Sequence, residues 1–403
     1  MVSKPLIVQK FGGTSMGTIE NIHTVAKHII SAKKSGNQLV VVVSAMSGET
    51  NRLMALAKQV DNVPTARELD VLLSAGEQMS MALLAMTLNK LGYPAVSLTG
   101  SQANIMTDNR HNDAAIQRID TTRIYDLLAL DKIVIVAGFQ GVNTAGDITT
   151  LGRGGSDTTA VVLAGALSAA ECQIFTDVDG VYTIDPRIVP TAQKLAVIDF
   201  PSMASMAQHG AKVLHLPSVH YAWTHQVPLR VLSTFDASPG EVYSGTLVKG
   251  NDCHQAICGF AIQSDMCLIS MKRTALADVQ KQCQMLGIMI WNVIERPEWV
   301  AIVIKQDVYT KLELVIESKI SNSEPIGLVT AVGVQAEQLA KGCHQRLAEQ
   351  GITVIDTVLN PLSITFVISP DSIDKAANIL HHAYINSSDV ANSQQKCIVV
   401  ETI

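Results

Sequence analysis

Charge is what this sequence has least of. Only 16% of its residues are Asp, Glu, Lys or Arg, against 47% hydrophobic, and the balance is acidic, with a net charge of −6. A chain this apolar over 403 residues holds enough core for two or three domains and does not read as disordered. The lack of a basic surplus argues against a nucleic-acid partner. The seven cysteines (172, 253, 258, 267, 283, 343 and 397) include no Cys-x-x-Cys pair. That predicts reduced thiols, a cytoplasmic protein and no zinc site. The eleven histidines do not cluster. His209, His215, His220 and His225 are near one another, but their spacings fit no helical metal pair, so no metal site is expected. No apolar run reads as long enough to span a bilayer, so no membrane partner is expected. Residues 1–5 run straight into the strand-like Leu6-Ile7-Val8 and lack a signal-peptide layout.

What is present is alternation. Strand-like runs at 6–10, 39–44, 95–98, 133–138, 173–176 and 229–232 are separated by helical patterns at 19–35, 50–59, 76–91, 114–130 and 158–169. This predicts an α/β fold with an open, mainly parallel sheet between helical layers, whose ligand site lies at the carboxyl ends of the strands. Composition shifts at 244–252, which reads as a polar hinge. Beyond it the pattern strand, helix, strand, strand runs twice, at 266–304 and at 328–368, and predicts two α+β modules of βαββ type. The run 256–262 would complete the sheet of the second. The expected division is 1–248 and 249–403.

The most informative segment is Thr150-Leu151-Gly152-Arg153-Gly154-Gly155-Ser156-Asp157-Thr158-Thr159-Ala160. A glycine-rich turn before a helix lets backbone N–H groups converge on an anion, and an arginine adds a fork for a carboxylate or phosphate. Lys10-Phe11-Gly12-Gly13-Thr14-Ser15-Met16-Gly17 closes the first strand. It is neither a Walker A loop nor a Gly-x-Gly-x-x-Gly fingerprint. Alone it reads equally as a tight turn with a solvated lysine; beside the Arg153 loop it reads as a phosphate site.

Three further segments carry double readings. Ser44-Ala45-Met46-Ser47-Gly48-Glu49-Thr50 offers hydroxyls to a ligand, or N-caps through Ser47 or Thr50. Ser74-Ala75-Gly76-Glu77 fits a capping box, or places Glu77 against a substrate ammonium. The stretch from Thr176 and Asp177 through Asp179-Gly180, Tyr182 and Arg187 could hold a nucleotide or be a plain turn. Asp108, Arg110, His111 and Asp113 read as a solvated loop.

Together with Val43-Ser44-Ala45-Met46, Leu98-Thr99-Gly100-Ser101-Gln102-Ala103 and Gly138-Phe139-Gln140-Gly141, these segments resemble aspartate kinases in the order they occur over residues 5–248. The resemblance implies the amino-acid-kinase fold. It implies ATP with Mg²⁺ and phosphorylation of the L-aspartate side-chain carboxylate to 4-phospho-L-aspartate, the first step of the aspartate-derived amino-acid pathway. It assigns Lys10 to the phosphates and Asp157 to orienting Lys10. Arg153 would grip the substrate carboxylate and Glu77 its ammonium, with Ser44, Thr50, Gly154 and Ser156 completing the acceptor site. Gly12, Gly13, Ser15, Thr176, Asp177, Tyr182, Arg187 and Lys212 would contact ATP.

The C-terminal region resembles the tandem ACT modules of that family and implies a homodimer, or a larger homo-oligomer, through them. Neither Met271-Lys272-Arg273-Thr274 nor Val332-Gly333-Val334-Gln335 carries the family's Pro-Gly turn, which predicts weakened feedback by lysine or threonine. Two other readings remain at this point: a kinase for acetylglutamate, glutamate or a nucleotide monophosphate, and an inactive amino-acid-binding regulator.

Overall fold

The computed structural model describes residues 4–236, 245–252, 255–316 and 319–385. The chain divides into two compact units, Met1–Val181 with Lys194–Ala204 and Lys212–Asp252, and Tyr182–Gln193 with Ser205–Ala211 and Cys253–Ile403.

Through residue 252 the elements run β1 Leu6–Phe11, α1 Ile19–Lys34, β2 Gln38–Val43, α2 Glu49–Val60, α3 Ala66–Lys90 and β3 Ala95–Leu98. Next come β4 Ile105–Thr107, β5 Ile116–Ile119, α4 Thr122–Ala129, β6 Ile133–Ala137, β7 Gln140–Val142, β8 Ile148–Thr150 and α5 Gly155–Ala166. They close with β9 Glu171–Thr176, β10 Val197–Ile198, α6 Phe200–Gln208, α7 Leu216–His225, β11 Leu229–Ser233 and β12 Thr246–Val248. The main sheet has the order β10-β12-β11-β9-β1-β2-β6-β3, parallel except for β11 with β12. The central strands are apolar on both faces because helices cover both. Leu39, Val41 and Val43 enter one core with α1 and α3, while α5 packs on β1, β2 and β9.

Several expectations change. The stretch 114–130 is not one helix. Ile116-Gln117-Arg118-Ile119 forms β5 against β4 in a small sheet ordered β5-β4-β7-β8. Asp120 then accepts the Thr122 N–H and starts α4. The helix expected at 76 begins at Ala66. Within the expected hinge, Thr246–Val248 is a strand with Thr246 and Val248 buried, and the Thr246 hydroxyl bonds the Val181 N–H and the Leu195 carbonyl; Ser244 lies outside the described residues. One helix, α3, does reach the length and apolarity of a bilayer span, with mean hydropathy 1.4. Leu84 and Leu88 nevertheless pack it into the core beside α1.

The second unit contains β13 Gly259–Met271, α8 Leu276–Met285, β14 Asn292–Glu295, β15 Val300–Lys305 and α9 Tyr309–Ile316, then β16 Ile320–Val332, α10 Ala336–Glu349, β17 Val354–Asn360, β18 Ser363–Ile368 and α11 Ile373–Tyr384. These are two βαββ modules merged in one antiparallel sheet, β14-β15-β13-β16-β18-β17. The long strands β13 and β16 serve both. Gly259–Gln263 pairs with Leu328–Val332 of the second module, as expected for the run before residue 263, and Met266–Met271 pairs with β15 of the first.

Candidate active site

The carboxyl ends of β1, β2 and β9 lie side by side, and the chain leaves each of them in a polar loop. Strand alternation decides where Lys10 points. Phe11 enters the core under α1 and α3, so its neighbour faces the opposite side, where α5 begins. There Lys10 Nζ lies 2.7 Å from Asp157 Oδ1, with both side chains largely shielded from water. Asp157 sits in the first turn of α5, where the helix dipole favours an anion. In that turn Gly155 N–H bonds the Gly152 carbonyl, while the Ser156 and Asp157 amides precede the intrahelical ladder and have no acceptor among the described residues.

The turn before α5 is glycine for a steric reason. Gly154 has φ +70°, and a Cβ on it would lie 2.3 Å from the His215 ring. Arg153 beside it is exposed at the rim and has no hydrogen-bond or ion-pair partner among the described residues. The cavity that opens here has a volume of about 820 Å³. Of the residues singled out from the sequence, it brings together Lys10, Gly13, Ser44, Thr50, Glu77 and the Arg153–Asp157 loop.

Glu77 is not a capping residue. Ser74 lies in the middle of α3, and its hydroxyl bonds the Val71 carbonyl. Glu77, 3% exposed, accepts the Ala45 N–H through Oε1 at 3.1 Å, while its buried Oε2 has no partner among the described residues. Burial pushes the carboxyl up to about 7, against the opposing bond from Ala45. Neither Ser47 nor Thr50 caps α2, whose N-cap is Gly48, so the Thr50 hydroxyl is not committed to that role.

The remaining candidates do not line this cavity. Gly12 donates its N–H to Phe175, and Ser15 is buried against Thr234 at 2.7 Å. Thr176 donates to Asp177 at the end of β9. Lys212 is exposed. Tyr182 and Arg187 belong to the other unit, where Arg187 pairs with Asp185.

Sequence reasoning missed Asp70 and misread His111. Asp70, 0% exposed, bonds His111, the Asn112 N–H and the Thr150 hydroxyl beside the cavity. The available signal was the spacing of Asp70, Leu73 and Glu77, which share a face only once α3 is known to start at Ala66. No group of three or more His, Cys, Asp or Glu among the described residues could hold a metal ion.

An open parallel sheet with a glycine-rich anion turn and a buried lysine at its strand ends defines a phosphate-handling enzyme, and the chain belongs to the amino acid kinase family, whose model matches residues 5–233. It is 41% identical to the aspartate kinase of Pseudomonas putida over 94% of this chain and 97% of that one. Similarity over that length places it with the aspartate kinases of the family. The crystal structure of E. coli aspartokinase III with lysine and aspartate (T-state) superposes with a TM-score of 0.77 at 25% identity, over 94% of this chain and 99% of that one. The same enzyme with aspartate and ADP (R-state) gives 0.75 at 24% identity, over 95% and 100%, a likeness of fold.

Proposed function

We propose that the protein transfers the γ-phosphoryl group of ATP to the side-chain carboxylate of L-aspartate, giving ADP and 4-phospho-L-aspartate. The observation that carries this reading is the pairing, in one cavity, of Lys10–Asp157 with the unpartnered Glu77 oxygen. One end can neutralise phosphate charge and the other can receive an ammonium. An aspartate carboxylate is ionised at neutral pH and needs no general base. Its oxygen attacks the γ-phosphorus as the bond from that phosphorus to the β–γ bridging oxygen breaks. Catalysis is then positioning and charge neutralisation.

In this reading Lys10 offsets charge on the moving phosphoryl group, and Asp157 fixes the ammonium of Lys10. Arg153 binds the α-carboxylate and Glu77 the α-ammonium of aspartate, with Ser44, Thr50, Gly154 and Ser156 around them. Gly12, Gly13, Thr176, Asp177 and Lys212 form the nucleotide side. The described residues hold no group of three or more His, Cys, Asp or Glu that could cage Mg²⁺, so the ion would enter on the nucleotide phosphates, as Mg²⁺ commonly does, and lessen their charge. Residues 1–248 act as the catalytic part and 249–403 as a tandem ACT-like part that joins two copies, in the cytoplasm.

The test is direct. Purified protein with Mg-ATP, aspartate and hydroxylamine should form the hydroxamate of an acyl phosphate. Product from glutamate, acetylglutamate or a nucleotide monophosphate, with none from aspartate, would overturn the reading.

A further inference from the structure

Asp70 lies on α3 two turns before Glu77, fully buried, and its carboxylate bonds residues 111 and 112 on one segment and, on another, Thr150, where the Arg153 loop begins. Its Oδ1 accepts the Thr150 hydroxyl at 2.5 Å and the Asn112 N–H at 3.1 Å, and its Oδ2 lies 2.6 Å from His111 Nδ1. The same strand end is held a second time, because the Thr150 carbonyl accepts the Ala114 N–H at 2.9 Å. Asn112 is kept at φ +65°, which a non-glycine residue seldom adopts without support. Asn112 and Thr150 both border the cavity, and the buried Asn112 Oδ1 has no partner among the described residues. Three residues past Thr150, Arg153 lines the same cavity and has no hydrogen-bond or ion-pair partner among the described residues.

We propose that Asp70 is a positioning residue for the acceptor: through Thr150 and Asn112 it fixes the loop that presents Arg153, and it aims the Asn112 amide oxygen at the acceptor's ammonium side. The inference rests on the reading of this cavity as the aspartate site. A buried carboxylate is costly unless its oxygens are bonded. Here the donors are drawn from two separate segments, so satisfying the carboxylate also sets the distance between them. Nucleotide contacts on the Lys10 side do not pass through these bonds. Loss of the clamp should therefore fall on the acceptor alone.

The experiment compares Thr150→Val, which keeps shape and loses the hydroxyl, with Thr150→Ser, which keeps the hydroxyl. Losing a hydrogen bond to a charged group should raise the aspartate KM about tenfold or more in Thr150→Val. The ATP KM should stay within about twofold, and Thr150→Ser should retain an aspartate KM near the parent's. Asn112→Ala should raise the aspartate KM in the same selective way. If Thr150→Val fails to fold, Asp70→Asn is measured instead, with the same expectation. Equal rises in both KM values, an unchanged aspartate KM, or Thr150→Ser behaving as Thr150→Val would overturn the proposal. Absence of any aspartate-dependent hydroxamate from the parent enzyme would instead overturn the site reading.

Discussion

Gly76 brings α3 so close to the β2–α2 loop that a Cβ built on it would lie 2.8 Å from the Ala45 methyl. That approach lets the next residue, Glu77, which lines the cavity, take the Ala45 N–H with one oxygen and leave the other buried without a partner among the described residues. A carboxylate so placed is unfavourable when the site is empty and favourable once a cation arrives.

The first prediction follows from that asymmetry. Glu77 titrates from 4.5 to about 7 on folding. Between those values the folded chain binds more protons than the unfolded one, so this group lowers stability as pH rises from about 4.5 through 7. An aspartate ammonium favours the ionised form. The aspartate KM should therefore fall as pH rises toward 7 and level off above it. Glu77→Gln keeps an oxygen for Ala45 but cannot pair an ammonium as a full charge. It should raise the aspartate KM at pH 8 about tenfold or more, flatten the pH profile, and melt no lower than the parent at pH 8. Kinetics from pH 5.5 to 8.5 with parallel melts decide it; an unchanged KM would show that Glu77 serves only Ala45.

The second concerns Lys10. Its removal takes away charge opposite the moving phosphoryl group, a loss comparable to an oxyanion-hole donor at ~10²–10³-fold in kcat. Because Lys10 also shields Asp157, Lys10→Ala should lower the melting temperature too, breaking a buried pair costing up to ~3 kcal/mol. Turnover measured well below the melt separates the two effects. Near-parent kcat in folded Lys10→Ala would reduce the lysine to a structural partner of Asp157.

How much of this was legible depended on whether the signal was local. The six strands of the main sheet that read as short apolar runs formed where expected, because burial on both faces leaves a continuous pattern. β5 was hidden because Ile116 and Ile119 suit a helix face as well as a strand's ends. The role of Glu77 was hidden behind a local motif, since Ser74 and Glu77 have capping-box spacing but stand in mid-helix. Asp70 and His111 are 41 residues apart, and nothing in either segment announces the other.

A third prediction concerns a chain ending at Val248. Ile184 and Val189 are buried in a core with Ile257, Phe260 and Leu380. Thr183 accepts the Phe260 N–H through its carbonyl and bonds His381 through its hydroxyl. Removing everything after 248 strips these partners and exposes apolar side chains worth about 1.5–3 kcal/mol each when buried. The shortened chain should melt several degrees lower, bind a hydrophobic dye and sediment as a monomer or an aggregate. An unchanged melt would show that residues 182–193 do not need the core that follows.

The last prediction concerns regulation. An amino-acid effector needs backbone donors for its carboxylate at the turn between first strand and helix of a module. In the second module those donors are already used: Gly333 N–H bonds the Leu362 carbonyl, Val334 N–H that of Gln255, and Gln335 N–H that of Ala256. A ligand entering there must displace three backbone bonds. In the first module the turn winds into a short 3₁₀ segment, Arg273–Ala275, whose closing N–H bonds Lys272. Neither turn has the Pro-Gly that would open the backbone. A ligand shifts a conformational equilibrium only by its differential affinity for the two states, so turns that bind poorly transmit little. Lysine and threonine, singly or together, should therefore inhibit weakly or not at all. Initial rates titrated with each amino acid, with calorimetry to detect silent binding, measure this; strong inhibition by either would mean that an effector docks elsewhere in the merged six-stranded sheet, and that the missing Pro-Gly turns do not govern control.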